Sequence, residues 1–126
     1  MYKLEKTYKF SSAHKLKDTE NLVSKRCCNV HGHMWQVKII ITTNQLKDTM
    51  VIDFGKLKNI IDKFDHKYLN DIVLFNPTAE NLAEYVYTLI NEEYIKQFTA
   101  KEILKLEYKL KITVEESPGA KVTYYE

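Results

Sequence analysis

Residues 33–43 constrain the fold more than any other stretch, because they place Trp35, Val37, Ile39 and Ile41 at every second position of a β-branched-rich run. Successive side chains of an extended chain point to opposite faces, so this period describes a strand with one covered side. Residues 2–11 alternate in the same way, with Tyr2, Leu4, Tyr8 and Phe10 against Lys3, Glu5, Thr7 and Lys9. We expect the two strands to pair antiparallel around the long polar connection between them.

From Asp53 the apolar period changes to that of a helix. Phe54, Leu57, Ile60 or Ile61, and Phe64 recur at helical spacing, with Asp53 placed to cap the first turn of a helix of about three turns. A second helix follows Pro77, with Thr78 as its N-cap and Leu82, Ala83, Val86, Leu89 and Ile90 as its buried stripe. Residues 91–105 read as helix, loop or both. Two last strands, 106–116 and 121–125, flank Ser117-Pro118-Gly119-Ala120, which has turn chemistry. The order is β-β-α-α-β-β, an α+β domain over residues 1–126.

Composition removes several function classes. With 126 residues, 44% of them hydrophobic, and only three Gly and two Pro, the chain suits one core without a flexible linker. Its net charge of +2 comes from 19 basic and 17 acidic side chains spread along the chain. That leaves no basic cluster for nucleic acid. No apolar run spans a bilayer, and residues 1–5 lack the apolar stretch of a secretory signal, so we expect a cytoplasmic protein without membrane or nucleic-acid partners. Cys27 and Cys28 are neighbours, which disfavours a bridge between them.

Of four histidines, two form His31-Gly32-His33 at the mouth of a strand. Residues i and i+2 of a strand share a face, so both imidazoles can reach one ion, and Gly32 is expected to leave the patch uncrowded. An isolated H-x-H is more often a surface feature. His14, just past the first strand, tips the balance, since antiparallel pairing brings it near the start of the second. Three imidazoles are the open three-histidine zinc arrangement. The competing arrangement is a closed structural site using Cys27 or Cys28 with His31 and His33.

Three further groups carry chemistry. Cys27, four residues before His31, is a candidate base for a carbon-bound proton, or else a small buried apolar residue. Asp65 directly precedes His66, so a carboxylate can orient an imidazole if the side chains touch. In Val114-Glu115-Glu116-Ser117, alternation turns one glutamate inward, where it needs hydrogen-bond donors.

These landmarks together resemble the 6-pyruvoyl-tetrahydropterin synthase family, and within it the bacterial 6-carboxy-tetrahydropterin synthase branch. The likeness runs through Phe10-Ser11-Ser12-Ala13-His14, Cys27-Cys28-Asn29-Val30-His31-Gly32-His33, Val51-Ile52-Asp53-Phe54, Phe64-Asp65-His66, Pro77-Thr78-Ala79-Glu80-Asn81 and Val114-Glu115-Glu116-Ser117. The three-residue gap between Cys27 and His31 is similar to the carboxy branch. Ser12 and Phe64 depart from the usual alanine and leucine, and Cys28 adds a second thiol.

The resemblance implies a tunnelling fold, with an antiparallel four-stranded sheet and two helices on one face, assembled as a hexamer of two trimers with active sites between subunits. It implies zinc on His14, His31 and His33, catalysis by Cys27, Asp65 and His66, and substrate binding by Glu116 and Thr78. The implied substrate is 7,8-dihydroneopterin triphosphate, with Lys15, Lys17, Lys25 or Arg26 as candidates for its triphosphate. The implied product serves 7-deazaguanine and queuosine synthesis. Pyruvoyl-tetrahydropterin formation and a zinc-stabilised module without chemistry are the alternatives.

Overall fold

The computed structural model describes residues 1–20 and 25–126. Strands β1 (Tyr2–His14) and β2 (His31–Thr43) pair antiparallel over their whole lengths, with His14 opposite His31. Helix α1 (Phe54–Asp62), strand β3 (Lys67–Tyr68) and the one-turn helix α2 (Leu69–Ile72) come next. Helices α3 (Ala79–Ile95) and α4 (Ala100–Ile103) precede strands β4 (Tyr108–Ser117) and β5 (Ala120–Tyr125).

The sheet order is β3-β1-β2-β4-β5. It therefore has five strands, not four, and β3 runs parallel to β1 through Ser12 and Ala13. Two residues are too few to show alternation. Lys67 and Tyr68 pair with Ser12 and Ala13, and the His66 amide donating to Ser11 O and the Lys67 amide to Ser12 Oγ hold the chain along β1.

One face of the sheet is covered. Trp35, Val37, Ile39 and Ile41 of β2 are fully buried with Leu110, Ile112 and Val114 of β4, against Leu57, Ile60 and Ile61 of α1 and Leu82, Ala83, Val86 and Ile90 of α3. Leu89 packs only at the margin of this core. At about 25 cal/mol per Å² of apolar surface, each such side chain contributes about 1.5–3 kcal/mol by burial. The other face carries Lys3, Glu5, Lys9, Lys109 and Lys111, all exposed, as expected for a half-covered sheet.

Local chemistry sets the ends. Asp53 Oδ1 accepts from the Gly55 amide at 2.8 Å and caps α1, while Thr78 Oγ1 accepts from the Asn81 amide at 3.2 Å and caps α3. Helix α1 stops before Phe64, which is buried from the following turn. Residues 91–105 resolve into the end of α3 and the short α4, which carries a capping box between Thr99 and Glu102. A two-residue turn joins β4 to β5, with Gly119 at φ 86°, where a side chain would be strained. Among the described residues no helix is long and apolar enough to cross a membrane.

Candidate metal centre

The covered face of the sheet is apolar along most of its length and polar at one end. Even-numbered residues of β1 and β4 and odd-numbered residues of β2 face inward, which brings Ser12 and His14, His31 and His33, and Glu116 to that end. β1 extends three residues beyond the sequence expectation because these inward polar groups find partners. The hydroxyl of buried Ser12 donates to Phe64 O, and His14, also buried, belongs to the strand and does not follow it.

His14, His31, His33 and Glu116 each offer one ligand atom, all within 4.8 Å of one another. Hydrogen bonds to backbone carbonyls determine the tautomers. His14 Nδ1 stands 2.8 Å from Pro77 O, and His31 Nδ1 stands 2.7 Å from Asn29 O. A carbonyl oxygen can only accept, so both Nδ1 atoms carry the proton and both Nε2 atoms present bare lone pairs. Those two lone pairs face each other at 3.0 Å.

Two acceptors at that distance repel unless something positive lies between them. A shared proton is one answer, but Glu116 Oε1 is also 3.3 Å from His14 Nε2 and 2.8 Å from His33 Nε2. The latter contact is out of line for a hydrogen bond, so buried His33 Nε2 has no hydrogen-bond partner. Two bare nitrogens, a third ring nitrogen and a carboxylate oxygen converge on one point. Nitrogens held about 2.1 Å from a tetrahedral ion stand about 3.4 Å apart, so a small divalent cation fits this donor set.

Trp35 forms the floor, its ring centroid 4.9 Å from that of His14 and 5.5 Å from that of His33, with Nε1–H donating to Ser12 O at 3.1 Å. It separates the cluster from the apolar core. Burial pushes the His14 imidazole below the ordinary histidine value, favouring the neutral form that a metal ligand requires. The reason expected for Gly32 is not found in the structure. A Cβ there would meet nothing within 4 Å, so crowding is not what selects glycine within this chain.

The remaining sequence candidates are held apart from the cluster. Cys27 and Cys28 lie half-buried in a 3-10 turn, Lys25–Cys28, tied to the exit of β1 by the Leu16 amide donating to Cys27 O. Neither thiol joins the ligand group, so the closed site through sulfur does not form. Asp65 and His66 do touch, His66 Nδ1 lying 3.0 Å from Asp65 Oδ2. The Ser11 amide, donating to Asp65 Oδ1 at 2.9 Å, holds that carboxyl below its usual range, and His66 adds to the effect.

The pair stands beside Ser11 of β1, three residues or about 10 Å along the strand from His14. His66 is 84% exposed and has a φ of 55°, uncommon for a side-chain-bearing residue. Of the candidate cations, Lys25 Nζ grips Asp18 at 2.7 and 2.9 Å, and Lys17 Nζ donates to Leu74 O.

Sequence patterns missed the two carbonyl groups that orient the ring nitrogens. Backbone oxygens have no residue signature, although the Pro77-Thr78 landmark marks where one of them sits.

Known proteins share sequence and fold with this chain. The family model described as 6-pyruvoyl tetrahydropterin synthase matches residues 3–126. A 6-carboxy-5,6,7,8-tetrahydropterin synthase of Synechocystis sp. is 30% identical over 116 residues, covering 83% of this chain and 87% of its own. One from Haemophilus influenzae is 29% identical, covering 83% and 78%. The structure of Caenorhabditis elegans 6-pyruvoyl tetrahydropterin synthase superposes with a TM-score of 0.68 at 28% identity, covering 99% of this chain and 95% of that one.

Proposed function

Starting from the 6-pyruvoyl tetrahydropterin synthase family, to which this chain belongs and whose tunnelling fold it has, we propose that the protein is a zinc-dependent 6-carboxy-5,6,7,8-tetrahydropterin synthase. With one water consumed, it converts 7,8-dihydroneopterin triphosphate to 6-carboxy-tetrahydropterin, acetaldehyde and triphosphate. The relatives that carry the carboxy name support that branch. The observation that carries the metal reading is the convergence of His14, His31 and His33, with the tautomers of His14 and His31 fixed.

Zinc on these three side chains would supply Lewis-acid polarisation of the substrate's side-chain hydroxyls. Cys27 and His66 move protons on and off the side-chain carbons, and Asp65 holds the His66 ring through Nδ1, leaving Nε2 for the reaction. Glu116 and Thr78 bind substrate, the glutamate through the donor edge of the pterin ring. Lys15, Lys17, Lys25 and Arg26 border the metal loops and can meet the triphosphate.

We place the sites between subunits of a hexamer of two trimers, where a neighbouring copy can meet the exposed Asp65–His66 pair. The protein acts in the cytoplasm, supplying 7-deazaguanine precursors of queuosine.

Incubation with 7,8-dihydroneopterin triphosphate and assay of acetaldehyde tests the branch. Acetaldehyde in step with triphosphate release is expected, and a pyruvoyl product without acetaldehyde would assign the chain to the reaction named for the C. elegans protein. Cys27→Ala separates catalysis from a zinc-stabilised module. We expect full zinc content and lost turnover, whereas lost metal and early melting would make the thiol structural.

A further inference from the structure

The three imidazoles leave one tetrahedral position, and the same chain supplies a group that reaches it. Glu116 Oε1 lies 2.8 Å from His33 Nε2 and 3.3 Å from His14 Nε2, on the side where the bare nitrogens converge. An ordinary ion pair with His33 would put an N–H in line with that oxygen, and the alignment is missing. A carboxylate aimed at a point, and not at a hydrogen, is placed as a ligand is placed.

The backbone beneath it supports the same role. The β2–β4 ladder ends at Gln36 opposite Glu115, and the β4–β5 register shifts between Glu115 and Ser117. Glu116 is thus the unpaired residue of a β-bulge, a device that re-aims a side chain next to a site. His14 is buried and tied to Pro77 O, whereas Glu116 is 30% exposed and has three rotatable side-chain bonds. One ligand group is fixed, and this one can move.

We propose that Glu116 is the fourth ligand of the divalent ion in the substrate-free protein, closing the position that the three imidazoles leave. The inference rests on the metal reading above and adds a resting state to it. It gives Glu116 a place before any pterin arrives, on a support able to give way when one does.

The test uses the full chain stripped of metal and reloaded with Co2+ alone, as wild type, Glu116→Gln and Glu116→Ala. Visible absorption and competition with a chelator are measured, and the metal-free melting temperatures of all three proteins are compared. Matching metal-free melts, a changed absorption band in both variants, and a Co2+ affinity lowered about tenfold or more in Glu116→Ala are expected. Identical bands and affinities in the three proteins would overturn the proposal, as would a wild type that takes up no Co2+. A chain that makes no acetaldehyde yet shows the changed bands would overturn the catalytic proposal and leave this one standing.

Discussion

The chain sets its histidines in two contrasting ways. His14 and His31 are built into paired strands, and a backbone carbonyl fixes each ring through Nδ1. His66 stands 84% exposed in a left-handed backbone position, with Asp65 as its side-chain partner. The cluster is finished within one chain. The Asp65–His66 pair is oriented but open to whatever approaches from outside. On the proposed function, metal holding and proton transfer are therefore separable, and substitutions should affect one without the other.

The largest effect is expected from His31→Ala. Removing one of the converging nitrogens should lower zinc affinity by more than about a hundredfold, beyond what outer partners of a metal site contribute, and turnover should go with it. Zinc retention by this variant in a competition assay would show that the cluster is not the site. Next comes His66→Ala, which should cut turnover by about 10²–10⁴ while leaving zinc content unchanged. Loss of zinc in that variant would break the separation between the two regions.

Thr78→Ala gives a smaller effect on the metal side. Losing the cap of α3 should cost about 1 kcal/mol in a denaturant melt. Because Pro77 O then loses its anchored neighbour, zinc affinity should fall by about tenfold through His14. A destabilised variant with unaltered zinc affinity would detach the cap from the metal site.

The smallest effect is one of pH on the metal-free protein. Burial lowers the His14 value from the ordinary 6.5, so the unfolded chain binds this proton where the folded one does not. Stability should then fall as pH drops below about 6.5, by at most about 1.4 kcal/mol per pH unit for this one proton, and level off above it. The same melts on His14→Gln should lose that slope.

How much of this was legible in the sequence depended on whether periodicity or pairing carried it. Alternation in residues 33–43 fixed the inward face of β2, and with it the side of the sheet to which His31 and His33 belong. Alternation also turned one of Glu115 and Glu116 inward, and the family resemblance singled out Glu116. It could not say what Glu116 would meet, because the sheet order that sets β4 beside β2 is not a periodic property. The ends of β1 and β2 were harder to read, since Ser12 and His14 break the apolar pattern while remaining buried. β3 was invisible, being two residues held by hydrogen bonds to β1. Asp65–His66 contact depended on the backbone turn at His66, which no pattern encodes.

Whether the three imidazoles hold zinc is decided by calorimetric titration of the metal-free wild type beside His14→Ala. One zinc ion per chain is expected in the wild type, and none held at comparable affinity by the variant. A wild type that takes up no zinc, or a variant that binds it equally well, would contradict the metal reading.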